Sequence, residues 1–409
     1  MHYKPKLGIV SLVPIQNGGG GEVYLDRFIH SLGNFDQYLW TTSSDENQLK
    51  ASYDGICTVE CFGPPPEVDY STMGDWVEEK HLEVFESILA WSNRLQLDII
   101  IFNSPIVYFY QTKKLIRSLK GGPKIGCIPH DVPGSSFSLL LDDYQETESW
   151  EESLDNIRPK LLDISKDQNT ELLGSPFSFG NDFTIYNTEW LKEFYDPYSE
   201  NDSFIFHPII SRTNELPELG LEPVDLTIVN PLPMKGGDMF LALANYHFRG
   251  HKIRILEGNY NSSMTTLEPY LIPVRSVLYQ AELPDNIEVL GHVQNMSEVY
   301  RNTKVLLQPT RIESFGMTAV EAVFENCIVA TTDIPGVIEG VGDAALRLPY
   351  YATPQQWADK ISPVLKFENH RNDNMLKRKQ FILDRQAEEI KGLEHFLESM
   401  VTRSIAIER

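Results

Sequence analysis

Two stretches of this chain open in the same way, with a short apolar strand, a glycine-rich turn and then a helix with one apolar face. The first is Leu7-Gly-Ile-Val-Ser-Leu-Val13, followed by Asn17-Gly-Gly-Gly-Gly21 and a helical pattern through Tyr24, Leu25, Phe28, Ile29 and Leu32. The second is Leu226-Thr-Ile-Val229, followed by Asn230-Pro-Leu-Pro-Met-Lys-Gly-Gly237 and then Met239, Phe240, Leu241 and Leu243. More fully apolar runs follow each opening: Asp98–Phe102, Lys124–Ile128 and Phe183–Tyr186, then Lys252–Leu256, Ile287–Leu290, Val305–Gln308 and Cys327–Ala330. Strands that are apolar on both faces and alternate with helical patterns belong to parallel sheets covered on both sides. The pattern predicts an α/β chain of two doubly wound, Rossmann-like domains in tandem. The boundary falls between Phe206 and Val224, where Pro208, Pro217 and Pro223 interrupt regular structure. We divide the chain into 1–208, 209–385 and a terminal helix over 386–409 expected to pack back on the first domain. At 409 residues the chain is long enough for two cores.

Composition narrows the function. A formal charge of -23 argues against nucleic acid and against docking on an anionic membrane, since both would be repelled over most of the surface. No apolar run reaches the roughly 18 residues of a membrane span, and Leu7–Val13 reads as a buried strand rather than a signal peptide. The four cysteines make no disulfide framework and suit buried thiols in a reducing compartment, so a cytoplasmic protein is expected. One segment departs from the alternation. Residues 135–180 are polar and acidic, carrying Asp142, Asp143, Glu146, Glu148, Glu151, Glu152 and Asp155, and are expected to form a partly helical insertion in the first domain.

The chemistry is concentrated in Gln308-Pro-Thr-Arg-Ile-Glu-Ser-Phe-Gly-Met-Thr-Ala-Val-Glu-Ala-Val323. A strand ends in a polar loop, and a helix is expected from about Met317. The free N–H groups of Gly316, Met317 and Thr318 at such a helix start bind a diphosphate without a basic side chain. Glu321, one turn in, can accept hydrogen bonds from the vicinal hydroxyls of a ribose, and Glu313 lies at the same crevice.

Glu313-Ser-Phe-Gly-Met-Thr-Ala-Val-Glu321 resembles the signature of family 4 glycosyltransferases, two glutamates separated by seven residues. Neighbouring segments resemble the family in the same order along the chain. Asn286–Val293 is similar to the strand and turn that hold the nucleotide base, Ser297-Glu-Val-Tyr300 to the helix before the signature, and Thr332–Glu339 to the helix after it. In the first half Gly18–Glu22 resembles the family's diglycine loop, Ile128-Pro-His-Asp131 its histidine loop, and Tyr186–Trp190 its last strand and helix start. The resemblance implies a GT-B fold, two Rossmann-like domains facing across a cleft, and a retaining, hexosyltransferase-type enzyme that takes its sugar from a nucleotide diphosphate donor. It implies a donor site of Gly19, Gly20, Gly21, Arg311, Ser314, Phe315, Gly316, Met317, Thr318, Glu321, His292 and Val293. Lys235, Glu313 and His130 are the expected catalytic group. Lys235 neutralises the departing diphosphate, Glu313 contacts a sugar hydroxyl, and His130 holds a sugar hydroxyl or the acceptor.

One departure is visible. The family has an arginine about five positions before this lysine, where the present chain has Asn230; Arg311 or Arg254 is expected to supply the missing cation. No metal motif of the Asp-x-Asp kind presents itself, so metal-independent transfer is expected, with no cofactor and a uridine diphosphate sugar ahead of guanosine or adenosine ones. The acidic insertion favours a soluble neutral or amine-bearing acceptor over a phospholipid. Two other functions fit the same fold: a sugar-nucleotide epimerase and a non-catalytic nucleotide-sugar-binding protein.

Overall fold

The computed structural model describes residues 3–11, 19–43, 45–63, 78–103, 119, 121–130, 152–156, 159, 181–195, 201–210, 217–231, 235–257, 272–274, 277–279, 285–311, 313–366 and 373–407. The chain forms two compact units. The first runs to Ile209 and takes in Gln386 onward, and the second is built on Ile210–Arg385.

In the first unit seven strands form one parallel sheet. They are β1 (Lys6–Ser11), β2 (Asp36–Thr41), β3 (Cys57–Cys61), β4 (Ile99–Asn103), β5 (Lys124–Ile128), β6 (Phe183–Tyr186) and β7 (Asp202–Ile205), in the order β3-β2-β1-β4-β5-β6-β7. Helices α1 (Gly20–Ser31), α2 (Glu46–Ser52), α3 (Glu78–Leu95) and α4 (Glu189–Tyr195) connect them. Alternation along each central strand sorts its side chains to two faces. Leu7, Ile9, Ile99 and Ile101 pack with Leu25, Phe28 and Ile29 of α1, whereas Val10, Ile100 and Phe102 pack with Val84, Ile88 and Trp91 of α3. Residues without polar alternation therefore make a strand buried on both sides.

The second unit repeats the plan with six parallel strands. β8 (Val224–Val229), β9 (Ile253–Leu256), β12 (Ile287–Leu290), β13 (Thr303–Gln308), β14 (Ile328–Thr332) and β15 (Leu346–Leu348) lie in the order β12-β9-β8-β13-β14-β15. A separate antiparallel pair joins β10 (Ile272–Val274) to β11 (Val277–Tyr279). The helices are α5 (Gly237–Tyr246), α6 (Met296–Arg301), α7 (Met317–Phe324), α8 (Pro335–Val341) and α9 (Pro354–Leu365). Leu226, Ile228, Val305 and Leu307 meet α5 and α9 through Phe240, Leu243, Trp357 and Ile361. Leu306 and Val329 meet α7 and α8 through Val320, Val323, Val337 and Val341. A last helix, α10 (Asp373–Ile407), gives Met375 and Ile382 to the core of the second unit and Leu393, Leu397 and Met400 to that of the first.

In both sheets the strand order reverses direction once, between β1 and β4 and between β8 and β13. Loops leaving the carboxyl ends of such strand pairs diverge, so each unit has a crevice there that suits a ligand. Four strands beyond the apolar runs complete the sheets: β2, β3, β7 and β15. In β2 the buried Gln37 breaks the apolar pattern, and its amide donates to the carbonyls of Ile29 and Leu32 at the end of α1. Sheet-edge strands such as β3, β7 and β15 need apolar residues over less of their surface.

Cys57, Cys61, Cys127 and Cys327 are free thiols; burial pushes Cys57 and Cys327 up to about 12. Among the described residues no helix is long and apolar enough to cross a membrane. Of the acidic insertion, only 152–156 and 159 are described, with 152–156 helical. Asp142, Asp143, Glu146, Glu148 and Glu151 lie outside the described residues.

Candidate functional site

The second unit gathers most of the expected residues at its switch point. β8 ends at Val229, and Asn230 turns the chain in the left-handed region at φ 53°. Lys235 and Gly236, the latter at φ 77°, lead directly into α5. A Cβ on Gly236 would lie 2.7 Å from the carbonyl carbon of Pro309, so this turn presses directly on the loop that leaves β13. Only glycine meets both conditions.

That contact brings two ion pairs side by side. Lys235, from the α5 side, donates its Nζ to Glu313 Oε2 at 2.8 Å. Arg311, from the β13 side, pairs with Asp238 in the first turn of α5. Each segment thus contributes one cation and one carboxylate, and the two are braced reciprocally. Lys235 and Arg311 each keep 34 % of their side chain exposed, which leaves room for further hydrogen bonds to an anion.

Next to them α7 starts at Gly316, in the left-handed region at φ 76°, with no side chain capping the helix. Its first N–H groups, at Met317 and Thr318, therefore face outward as donors along the positive end of the helix dipole. Ser314 donates its backbone N–H to Glu313 Oε1 at 3.2 Å, which orients that carboxylate. The Phe315 ring lies in the core, so its backbone alone is available to a ligand. Glu321 is half-buried, and its Oε2 accepts a long hydrogen bond, 3.4 Å, from the hydroxyl of Tyr300. Burial, with the charge of Glu321 beside it, holds that phenol well above its ordinary range and keeps it a donor.

The first unit builds a separate crevice. β4 ends at Asn103, and β5 leads through Pro129 to His130. His130 is buried; its Nε2 lies 2.8 Å from Asn103 Oδ1, and Tyr24 meets the ring edge-on with centroids 5.0 Å apart. A Cβ on Gly21 would sit 3.2 Å from His130 Cδ2, which shows how closely the start of α1 approaches the ring. Burial lowers the imidazole to about 4, so it is neutral at physiological pH. Gly19 and Gly20 open α1 beside it, and nothing would obstruct a Cβ at Gly20.

One expectation fares differently. Arg254 is no replacement for the missing arginine. It is fully buried, with Nε donating to Glu288 Oε2 at 2.8 Å and a terminal nitrogen donating to the carbonyl of Glu222 at 2.7 Å. Glu222 precedes β8, so this guanidinium lies towards the amino ends of the strands, opposite the crevice. His292 and Val293 follow β12, the edge strand of this sheet. Among the described residues no group of three His, Cys, Asp or Glu is gathered for a metal ion.

Three residues went unassigned in the sequence. Asp238 stands three positions after Lys235, on a helix whose first turn must meet Arg311. Tyr300 lies inside a recognised segment but carries no polar signal of its own. Asn103 did leave a trace, as the first polar residue after the Ile-Ile-Ile-Phe run.

Two doubly wound parallel units in one chain constitute the GT-B fold, and solved structures share it over nearly their whole length. HepE from Anabaena, crystallised with UDP and glucose, is 12 % identical and superposes with a TM-score of 0.62 over 97 % of this chain and 100 % of its own. An alpha,alpha-trehalose-phosphate synthase (UDP-forming) from Burkholderia vietnamiensis is 13 % identical, with a TM-score of 0.60 over 100 % of both chains. Sucrose-phosphate synthase from Thermosynechococcus elongatus is 14 % identical, with a TM-score of 0.58 over 99 % and 98 %. Residues 270–380 match the profile of the family described as glycosyl transferases group 1, a span that contains Glu313, Gly316 and Glu321. No curated protein sequence matches the chain significantly.

Proposed function

We propose that this chain is a retaining glycosyltransferase that takes a hexosyl group from a nucleoside diphosphate sugar and passes it to a soluble acceptor. One observation carries the proposal: two reciprocally braced cations, Lys235 and Arg311, stand beside an uncapped helix start at the switch point of the second unit. Breaking the bond at the anomeric carbon leaves two negative charges on the diphosphate. Cations and N–H donors already in place stabilise that charge more in the transition state than in the ground state. Such a site transfers sugar without a resident metal. Glu321 holds the ribose hydroxyls, with Tyr300 steadying its carboxylate. Glu313 orients Lys235 and reaches a sugar hydroxyl, and in the first unit His130 holds a hydroxyl of sugar or acceptor.

A uridine donor is favoured by the company the fold keeps, since HepE was crystallised with UDP and glucose and the Burkholderia enzyme is named as UDP-forming. The acidic insertion supports a neutral or amine-bearing acceptor, and the whole is consistent with a cytoplasmic enzyme. Titration with UDP-, GDP- and ADP-sugars by calorimetry tests the donor assignment. Proton NMR of the product reads the anomeric configuration. Tight binding of one donor and a product that keeps its configuration are expected. Isomerisation of the donor with no acceptor present would instead identify an epimerase, and binding with no turnover on any acceptor a non-catalytic protein.

A further inference from the structure

The first unit carries a second, independent device around His130. We propose that Asn103 is a positioning residue that locks the His130 ring as its Nε2–H tautomer, so that Nδ1 is left as the acceptor for a hydroxyl group of the ligand. Register explains the placement. Asn103 pairs with Ile128 across β4 and β5, so the end of one strand lies beside the loop that carries His130. The amide oxygen of Asn103 is an acceptor only, and a ring nitrogen 2.8 Å away must carry the proton. The neutral imidazole has one proton, so Nδ1 keeps its lone pair.

Packing makes the choice firm. Asn103 is 4 % exposed and His130 9 %, so water does not compete for the bond. Gly21 closes on the Cδ2 side of the ring and Tyr24 packs against it with centroids 5.0 Å apart, which opposes a ring flip. Among the described residues Nδ1 makes no hydrogen bond. On α1 Tyr24 gives its hydroxyl to the carbonyl of Phe206 at 2.9 Å, and among the described residues no charged side chain bonds to the ring. Burial also lowers the imidazole to about 4. His130 therefore accepts a hydrogen bond and stays neutral. The first unit selects a ligand with an O–H at this point; this last clause alone rests on the transferase reading.

Nitrogen-15 spectra of the histidine rings in the full-length chain test the tautomer without any activity. The His130 signals are assigned by their loss in His130→Gln. The expected result is an Nε2–H pattern that does not change between about pH 5.5 and 8.5, given an ordinary histidine value near 6.5. Asn103→Asp places a carboxylate on the same nitrogen, and the ring should then gain its second proton and titrate above about 6.5. Asn103→Leu should leave a mixture of tautomers. In transfer assays Asn103→Leu should lower kcat/KM about tenfold for the substrate whose hydroxyl donates to His130, and the effect should vanish with the deoxy analogue lacking that hydroxyl. An Nδ1–H pattern in the unaltered protein, or a ring titrating near 6.5 there, overturns the proposal even if neither Asn103 variant folds. The proposal likewise fails if the tautomer is unchanged in Asn103→Leu. If the spectra behave as expected and no sugar is transferred, the tautomer assignment stands and the transferase reading fails.

Discussion

Replacing Gly236 by alanine separates two costs that the structure allows to be worked out in advance. The residue sits at φ 77°, where an L side chain costs about 1 kcal/mol. The new Cβ would also meet the loop after β13, 2.7 Å from the carbonyl carbon of Pro309, where backbone cannot give way as a flexible side chain can. Overpacking of that kind costs roughly 1 to 3 kcal/mol. Gly236→Ala should therefore destabilise the second unit by about 2 to 4 kcal/mol. The matched control is Gly220→Ala, in the same unit at φ 69°, where a Cβ would meet nothing within 4 Å. It should cost only the conformational term of about 1 kcal/mol. Urea unfolding, with peptide-resolved hydrogen exchange over β8 and β13, measures both. Because the crowded contact also sets Lys235 against Glu313, donor affinity should fall in Gly236→Ala and not in Gly220→Ala. Equal losses for the two variants would refute the claim that the two loops of the switch point are in direct contact.

Lys235→Ala should lower the transfer rate by ~100-fold or more while the fold persists, because it acts on charge that develops late in the reaction; steady-state kinetics with activity within about threefold of normal would move the diphosphate clamp elsewhere. Glu321→Ala should weaken donor binding by ~2 kcal/mol or more, and Tyr300→Phe by only about 1 kcal/mol, measured by calorimetry, because the phenol acts through the carboxylate. Acid should weaken the first unit through His130. The unfolded chain takes up a proton near 6.5 and the buried ring only near 4, so its contribution is full above about 6.5 and lost as pH falls towards about 4. That loss amounts to about 3 kcal/mol, and it should disappear when stability against pH is measured in His130→Gln.

The sheets were legible wherever a strand is buried on both faces. β4, β5, β6, β8 and β13 are continuous apolar runs, and burial on both sides leaves such a segment no other use. The start of α7 was legible for a related reason: a glycine between an apolar strand and an apolar-periodic helix marks a break at one place. Edge strands and the polar-patterned β2 were not, because Gln37 looks like a surface residue until the end of α1 supplies the carbonyls it satisfies. The residue types of the site, Lys235, Arg311, Glu313, Glu321 and His130, could also be named from the sequence. Their partners could not. That Lys235 pairs with Glu313 and Arg311 with Asp238, 78 and 73 positions apart, depends on β8 and β13 lying side by side. The pairing of β9 with β8 and β12 removes Arg254 from consideration, by committing its guanidinium to the opposite end of the strands. Local sequence carries propensity, pattern and chemical type, because these are properties of neighbouring residues. Charge pairing, tautomer and burial are properties of residues brought together from distant parts of the chain, and tertiary packing alone decided them.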